Sequence, residues 1–139
     1  MLFDRGSGTI KNILIVEDEP LVAFDNEHLL GANGYSVIAT IDNADEASGL
    51  IARGGIDLVL CDLKLNGSDG FDVAAAAKTA GIPVLFVTAT CPIDAQDIAI
   101  ACLAKPYTQR EFMQAIDAVT AMLEGKQPKR VPKALTLYI

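Results

Sequence analysis

Four nearly unbroken apolar runs, residues 13–16, 56–61, 84–87 and 100–104, recur along the chain, and none alternates polar with apolar side chains. Short runs without a period of two are what strands covered on both faces require, as in a parallel sheet with helices above and below. The segments between them carry the complementary helical signal. Pro20 suits the first turn of a helix running to about Ala32, halted by Gly31 and Gly34. Asn43 and Glu46 have capping-box spacing and open a second helix to about Arg53, stopped by Gly54-Gly55. Asp69 or Gly70 starts an alanine-rich helix ending near Ala80-Gly81. Thr108 and Glu111 form another capping box, with Phe112, Ala115, Ile116, Val119, Met122 and Leu123 at helical spacing behind it. Strands are predicted over residues 11–16, 35–39, 56–61, 82–87 and 100–103, and residues 92–98 hold at most a short helix. Five strands and five helices in alternation imply an α/β fold with a doubly wound parallel sheet.

Each of the four runs stops at a polar residue. Glu17 and Asp18 follow the first, Asp62 the second, Thr88 the third and Lys105-Pro106 the fourth. In an open parallel sheet the carboxyl ends of the strands share one edge, and ligands bind there. Three carboxylates, a hydroxyl and an ammonium then converge on one pocket. Three close carboxylates repel one another by several kcal/mol at an intermediate effective dielectric, roughly 4 kcal/mol for a pair. A bound Mg²⁺ removes that cost, since Glu17, Asp18 and Asp62 offer hard oxygens and a backbone carbonyl at Lys64 can complete the set. An aspartate is a competent nucleophile toward phosphorus. The Lys105 ammonium and the Thr88 hydroxyl suit the equatorial oxygens of a phosphoryl group in transfer. Taken singly, each piece has an ordinary structural reading: an acidic helix start, a turn aspartate, a helix cap, a loop lysine. Their order along the chain, each at a strand end, is what points to reversible phosphoryl transfer to Asp62.

The chain of 139 residues suffices for one domain with a substantial core, here assigned to residues 10–124 behind an extension at residues 1–9. A net charge of -7 argues against a general nucleic-acid surface. Residues 125–139 are nonetheless basic, with Lys126, Lys129, Arg130 and Lys133 and no acid. They end in the strand-like residues 134–139, so this tail either folds back on the acidic domain or contacts a partner, a second chain included. Fifteen residues are too few for a DNA-binding domain, so a stand-alone module is expected. No apolar stretch is long enough to cross a bilayer, and the N-terminus is too polar for a signal peptide. Three cysteines without C-x-x-C spacing suggest free thiols in a reducing cytoplasm.

The chain resembles the receiver domain of bacterial two-component response regulators over roughly residues 10–124. The residues that carry the likeness are Val16-Glu17-Asp18-Glu19-Pro20, Cys61-Asp62-Leu63-Lys64-Leu65 with Gly70 downstream, Val87-Thr88-Ala89 and Ala104-Lys105-Pro106-Tyr107. The resemblance implies a flavodoxin-like five-stranded sheet in the order 2-1-3-4-5, a cis Lys105-Pro106 bond, Mg²⁺, and a histidine kinase or phosphotransfer protein as phosphoryl donor to Asp62. Three positions depart from the family pattern. Asn66 replaces the usual proline. Cys102 stands where an aromatic switch residue is usual, which argues against a Thr88–aromatic switch. Thr88 and Lys105 are only 17 positions apart, so the fourth helix should be short or irregular. Residues 83–90, Pro-Val-Leu-Phe-Val-Thr-Ala-Thr, are similar to the P-F-x-F-A-T-G-G/Y motif of single-domain alphaproteobacterial receivers, which work with HWE-type kinases.

Two other readings compete. A haloacid dehalogenase-type, Mg²⁺-dependent phosphohydrolase also uses a strand-end Asp, but places its acidic pair last and a second Asp where Lys64 stands. A degenerate receiver would act as a phosphate-independent binding module, against which the intact set Glu17, Asp18, Asp62, Thr88 and Lys105 argues.

Overall fold

The computed structural model describes residues 10–139, so the extension expected at residues 1–9 lies outside the described residues. The chain runs β1 (Asn12–Val16), α1 (Pro20–Ala32), β2 (Ser36–Ile41), α2 (Ala44–Arg53), β3 (Leu58–Cys61), β4 (Lys64–Leu65), β5 (Ser68–Asp69), α3 (Gly70–Ala80), β6 (Val84–Thr88), β7 (Ala101–Ala104), α4 (Gln109–Leu123) and β8 (Leu135–Leu137). The main sheet has the order β2-β1-β3-β6-β7-β8. Its first five strands are parallel and follow the expected order, and β8 adds an antiparallel strand at the β7 edge.

Alternate residues of each central strand feed two separate cores. Leu14, Val16, Val59, Cys61, Val84 and Phe86 meet Ala47 and Ile51 of α2 and Val73, Ala74 and Ala77 of α3. Ile13, Ile15, Leu58, Leu60, Leu85 and Val87 meet Leu30 of α1 and Phe112, Ala115, Ile116 and Val119 of α4 on the other face. Both side-chain sets are buried, which is why the strands read as unbroken apolar runs. The exception is β2, an edge strand whose residues alternate between exposed and half-buried.

The capping signals differ in kind. At α4 the Thr108 hydroxyl accepts from the Glu111 amide at 3.1 Å and the Glu111 carboxylate accepts from the Thr108 amide at 2.8 Å, a reciprocal box. At α2 the Asn43 side chain accepts from the Glu46 amide at 2.9 Å, but Glu46 answers the Asn43 side-chain amide rather than its backbone.

Two expectations are corrected. Among the described residues there are four helices rather than five: residues 92–99 make no helix, and a single turn closes where the amides of Ile98 and Ala99 both donate to the Ala95 carbonyl. Short spacing between β6 and β7 leaves room for no more than that turn. The cysteines are not all free, because Cys91 and Cys102 form a disulfide and only Cys61 remains a buried thiol. Residues 64–69 also form the small hairpin β4–β5 around Asn66-Gly67, with Gly67 at φ +66°. Among the described residues no helix is long and apolar enough to cross a membrane.

Candidate functional site

The carboxyl ends of β1, β3, β6 and β7 converge, and with them the residues their ends carry. Glu17 follows β1, and its amide donates to the Ile41 carbonyl at 2.8 Å, while the Asp62 amide donates to the Val16 carbonyl at 3.0 Å. Register pairs Val16 with Cys61 and Thr88 with Ala104, which brings Asp62 beside Glu17 and Lys105 beside Thr88. The Lys105 amide donates to the Thr88 carbonyl at 2.8 Å, and the Lys105-Pro106 bond is cis. Glu17, Asp62 and Thr88 are all buried.

Lys105 is the electrostatic hub. Its Nζ lies 2.8 Å from Asp62 Oδ2, 2.9 Å from Glu19 Oε2 and 3.0 Å from Glu17 Oε1. Burial alone would lower its pKa, but hydrogen bonds to Asp62, Glu19 and Glu17 outweigh that and hold the ammonium above its usual range. For Glu17 the balance is reversed: burial raises the carboxyl above 4.5 despite the hydrogen bonds from Lys105 and the Glu19 amide. A second donor orients Asp62, since the Lys64 amide reaches Oδ1 at 3.2 Å. Burial, aided by the charges of Asp62, Glu17 and Asp69, pushes the neighbouring Cys61 thiol well up, so it is no competing nucleophile.

Ligand oxygens of Glu17, Asp18, Glu19 and Asp62 all lie within 4.8 Å of one another. Four hard oxygen donors at one mouth fit a small divalent cation such as Mg²⁺. Glu19 was visible in the sequence beside the acidic pair, but nothing in its spacing marked it as a partner of Lys105. As the residue that opens α1, it directs its side chain back across the site. Thr88 stands at the end of β6, beside a groove lined by Leu63, Lys64, Leu65, Ser68, Asp69, Phe71, Ala89 and Thr90. Cys102 on β7 is engaged in the disulfide rather than available as a switch residue. Tyr107 instead donates its hydroxyl to the Asn26 side-chain oxygen of α1 at 3.1 Å.

Gly70 fixes the path of the chain after Asp62. Its amide donates to the Leu63 carbonyl at 2.9 Å, and a Cβ here would overlap the Asp62 carbonyl oxygen and lie 2.7 Å from Leu63 Cα. Both obstacles are backbone and cannot rotate away. Gly70→Ala is therefore expected to destabilise the domain by about 2 kcal/mol, the overpacking cost exceeding the gain of about 1 kcal/mol in helix propensity. Denaturant unfolding checks this, and an unchanged or raised midpoint would contradict it.

Residues 13–117 match the family model described as response regulator receiver domain. Among curated proteins the chain is 31% identical over 120 residues to the transcriptional regulatory protein PdtaR of Mycobacterium tuberculosis, covering 82% of this chain and 58% of that one. It is 43% identical over 82 residues to the phyllosphere-induced regulator PhyR of Methylorubrum extorquens, covering 55% of this chain and 30% of that one. The chain spans about half the length of the curated relatives it matches. Among solved structures, a CheY-like response regulator receiver domain protein from Methanospirillum hungatei superposes with a TM-score of 0.74 at 25% identity, covering 84% of this chain and 98% of that one. The chain belongs to the response regulator receiver domain family.

Proposed function

We propose that the protein is a signalling phosphoacceptor in which Asp62 takes a phosphoryl group from a histidine kinase or phosphotransfer protein. The observation that carries the reading is the three-way contact of Lys105 with Asp62, Glu17 and Glu19 in a domain of this family. One oxygen of the Asp62 carboxylate bonds to phosphorus while the bond to the donor atom breaks. The donor keeps that electron pair and takes up a proton. Lys105, 2.8 Å from Asp62, would supply charge to the incoming phosphoryl oxygens, and Thr88, at the end of the neighbouring strand, a hydrogen bond. Glu17, Asp18 and Asp62, with the Lys64 backbone carbonyl, would hold Mg²⁺, which supplies further neutralisation of phosphoryl charge. Lys64 itself is exposed at the mouth of the site.

The finer reading places the protein in the cytoplasm, in the alphaproteobacterial subgroup, with an HWE-type kinase as donor. Two supports are the motif-like residues 83–90 and the likeness to PhyR. Output is by protein contact or as a phosphate sink, and paired chains are one form such contact takes. A phosphohydrolase of the haloacid dehalogenase type and a phosphate-independent module are less favoured, given the family match and the assembled site. Incubation with acetyl phosphate and Mg²⁺, followed by intact mass, should show a gain of one phosphoryl group that chelation prevents. Steady turnover of a simple phosphomonoester would favour the hydrolase, and no adduct under any condition the binding module.

A further inference from the structure

The loop of residues 89–99 leaves the site directly after Thr88 and has no helix of its own to hold it. Besides the core packing of Ala95 and Ala99, two anchors hold its first residues, and both lie outside the residues proposed to handle phosphate. Cys91 is bonded to Cys102, which sits fully buried in the middle of β7. Next to it, the Pro92 carbonyl accepts a hydrogen bond of 2.6 Å from the hydroxyl of Tyr138, a residue beyond the matched family segment. Tyr138 is itself fixed, with its ring in the core and its amide donating to the Ile100 carbonyl at 2.9 Å. β8, from which Tyr138 extends, pairs Thr136 with Cys102, so both anchors pull on one edge of the sheet.

We propose that Cys91 and Cys102 form a reversible redox site, reduced by dithiols and oxidised by peroxides, that sets the freedom of the 89–99 loop. If Asp62 accepts phosphate as proposed above, this site also sets how readily Thr88 is drawn toward the phosphoryl group. Cys91 is half-buried and Cys102 buried, so Cys91 is the sulfur a reagent reaches. In reduction, a thiolate of the dithiol attacks the Cys91 sulfur, the S–S bond breaks, and Cys102 leaves as a thiolate and takes up a proton. The second thiol of the dithiol displaces Cys91 from the mixed disulfide. Two electrons and two protons thus pass from the dithiol to the cysteine pair. In oxidation, the Cys91 thiolate attacks a peroxide oxygen, giving a sulfenic acid and one water from hydrogen peroxide. Cys102 then attacks the sulfenic sulfur and releases the second water. In a reducing cytoplasm a disulfide that does form is usually transient and redox-sensing rather than structural.

The reduced loop loses the Cys91 anchor and keeps Tyr138 and the core packing of Ala95 and Ala99, so its amides should exchange faster and its bound-like positions become more accessible. The test uses the full chain after hydrogen peroxide or after dithiothreitol, with Cys91→Ser in parallel. Alkylation under denaturing conditions should label one cysteine in the oxidised protein, Cys61, and three in the reduced protein. Amide exchange over residues 89–99 should quicken on reduction, and acetyl phosphate uptake should rise roughly threefold or more. Cys91→Ser should match the reduced protein in both states. Three labelled cysteines after peroxide, or identical loop exchange in both states, would overturn the proposal. Redox-dependent exchange with no phosphoryl adduct in either state would support the redox site and instead sink the phosphoacceptor reading.

Discussion

An Asp62→Asn variant is expected to fold, to keep one of the two hydrogen bonds to its side chain, and to take up no phosphoryl group from acetyl phosphate. Asparagine has the shape of aspartate, and its side-chain oxygen can still accept from the Lys64 amide or from Lys105, which lie 3.2 and 2.8 Å from the two carboxylate oxygens. An amide is a poor nucleophile toward phosphorus, so the effect is on chemistry rather than on fold. The buried thiol of Cys61 offers no substitute, because its pKa is raised. The variant also lacks one of the clustered carboxylates, so any stabilisation of the wild type by Mg²⁺ at the proposed site should shrink in it. Intact mass and Mg²⁺-dependent unfolding check both parts. A phosphoryl adduct that persists in the variant would move the acceptor elsewhere and end the proposed role of Asp62.

The sheet was legible in the sequence because two-sided burial leaves a direct trace: residues 13–16 and 84–87 contain no polar side chain at all. The converging polar ends followed from topology, since parallel strands place Glu17, Asp62, Thr88 and Lys105 on one edge whatever the loops do. Three things were not legible. The Cys91–Cys102 bond joins residues whose spacing carries no signature, and only the return of the loop after β6 over the middle of β7 brings them together. The partnership of Glu19 with Lys105 spans 86 positions and depends on how α1 begins. The docking of β8 was one of two readings of an apolar tail, and pairing with β7 needs a free edge that sequence does not display. In each case the deciding contact is non-local, while capping, periodicity and strand ends are local.

Lys105→Met should separate the proposed catalytic role of the ammonium from its part in stability. Methionine keeps much of the aliphatic stem and removes the charge. Uptake of phosphate from acetyl phosphate should then fall about a hundredfold, the usual cost of losing one preorganised donor to developing phosphoryl charge. Stability should fall as well, because Glu17, Glu19 and Asp62 each lose the cation 2.8–3.0 Å away. A fully buried pair broken in this way costs 3–5 kcal/mol, but Glu19 is more than half exposed, so about 2 kcal/mol is expected in chelator. The sign of the wild-type contribution follows from its raised pKa. While its carboxylate partners stay ionised, the ammonium stabilises the fold fully below 10.5 and loses that effect as pH climbs through the higher folded value. Mg²⁺ at the proposed site would compete with Lys105 for the same carboxylates in the wild type but not in the variant. Added Mg²⁺ should therefore stabilise Lys105→Met more than the wild type, measured by denaturant unfolding with and without the ion. Equal gains in the two proteins would mean that cation and lysine do not share these oxygens, and the proposed metal site would have to be placed elsewhere.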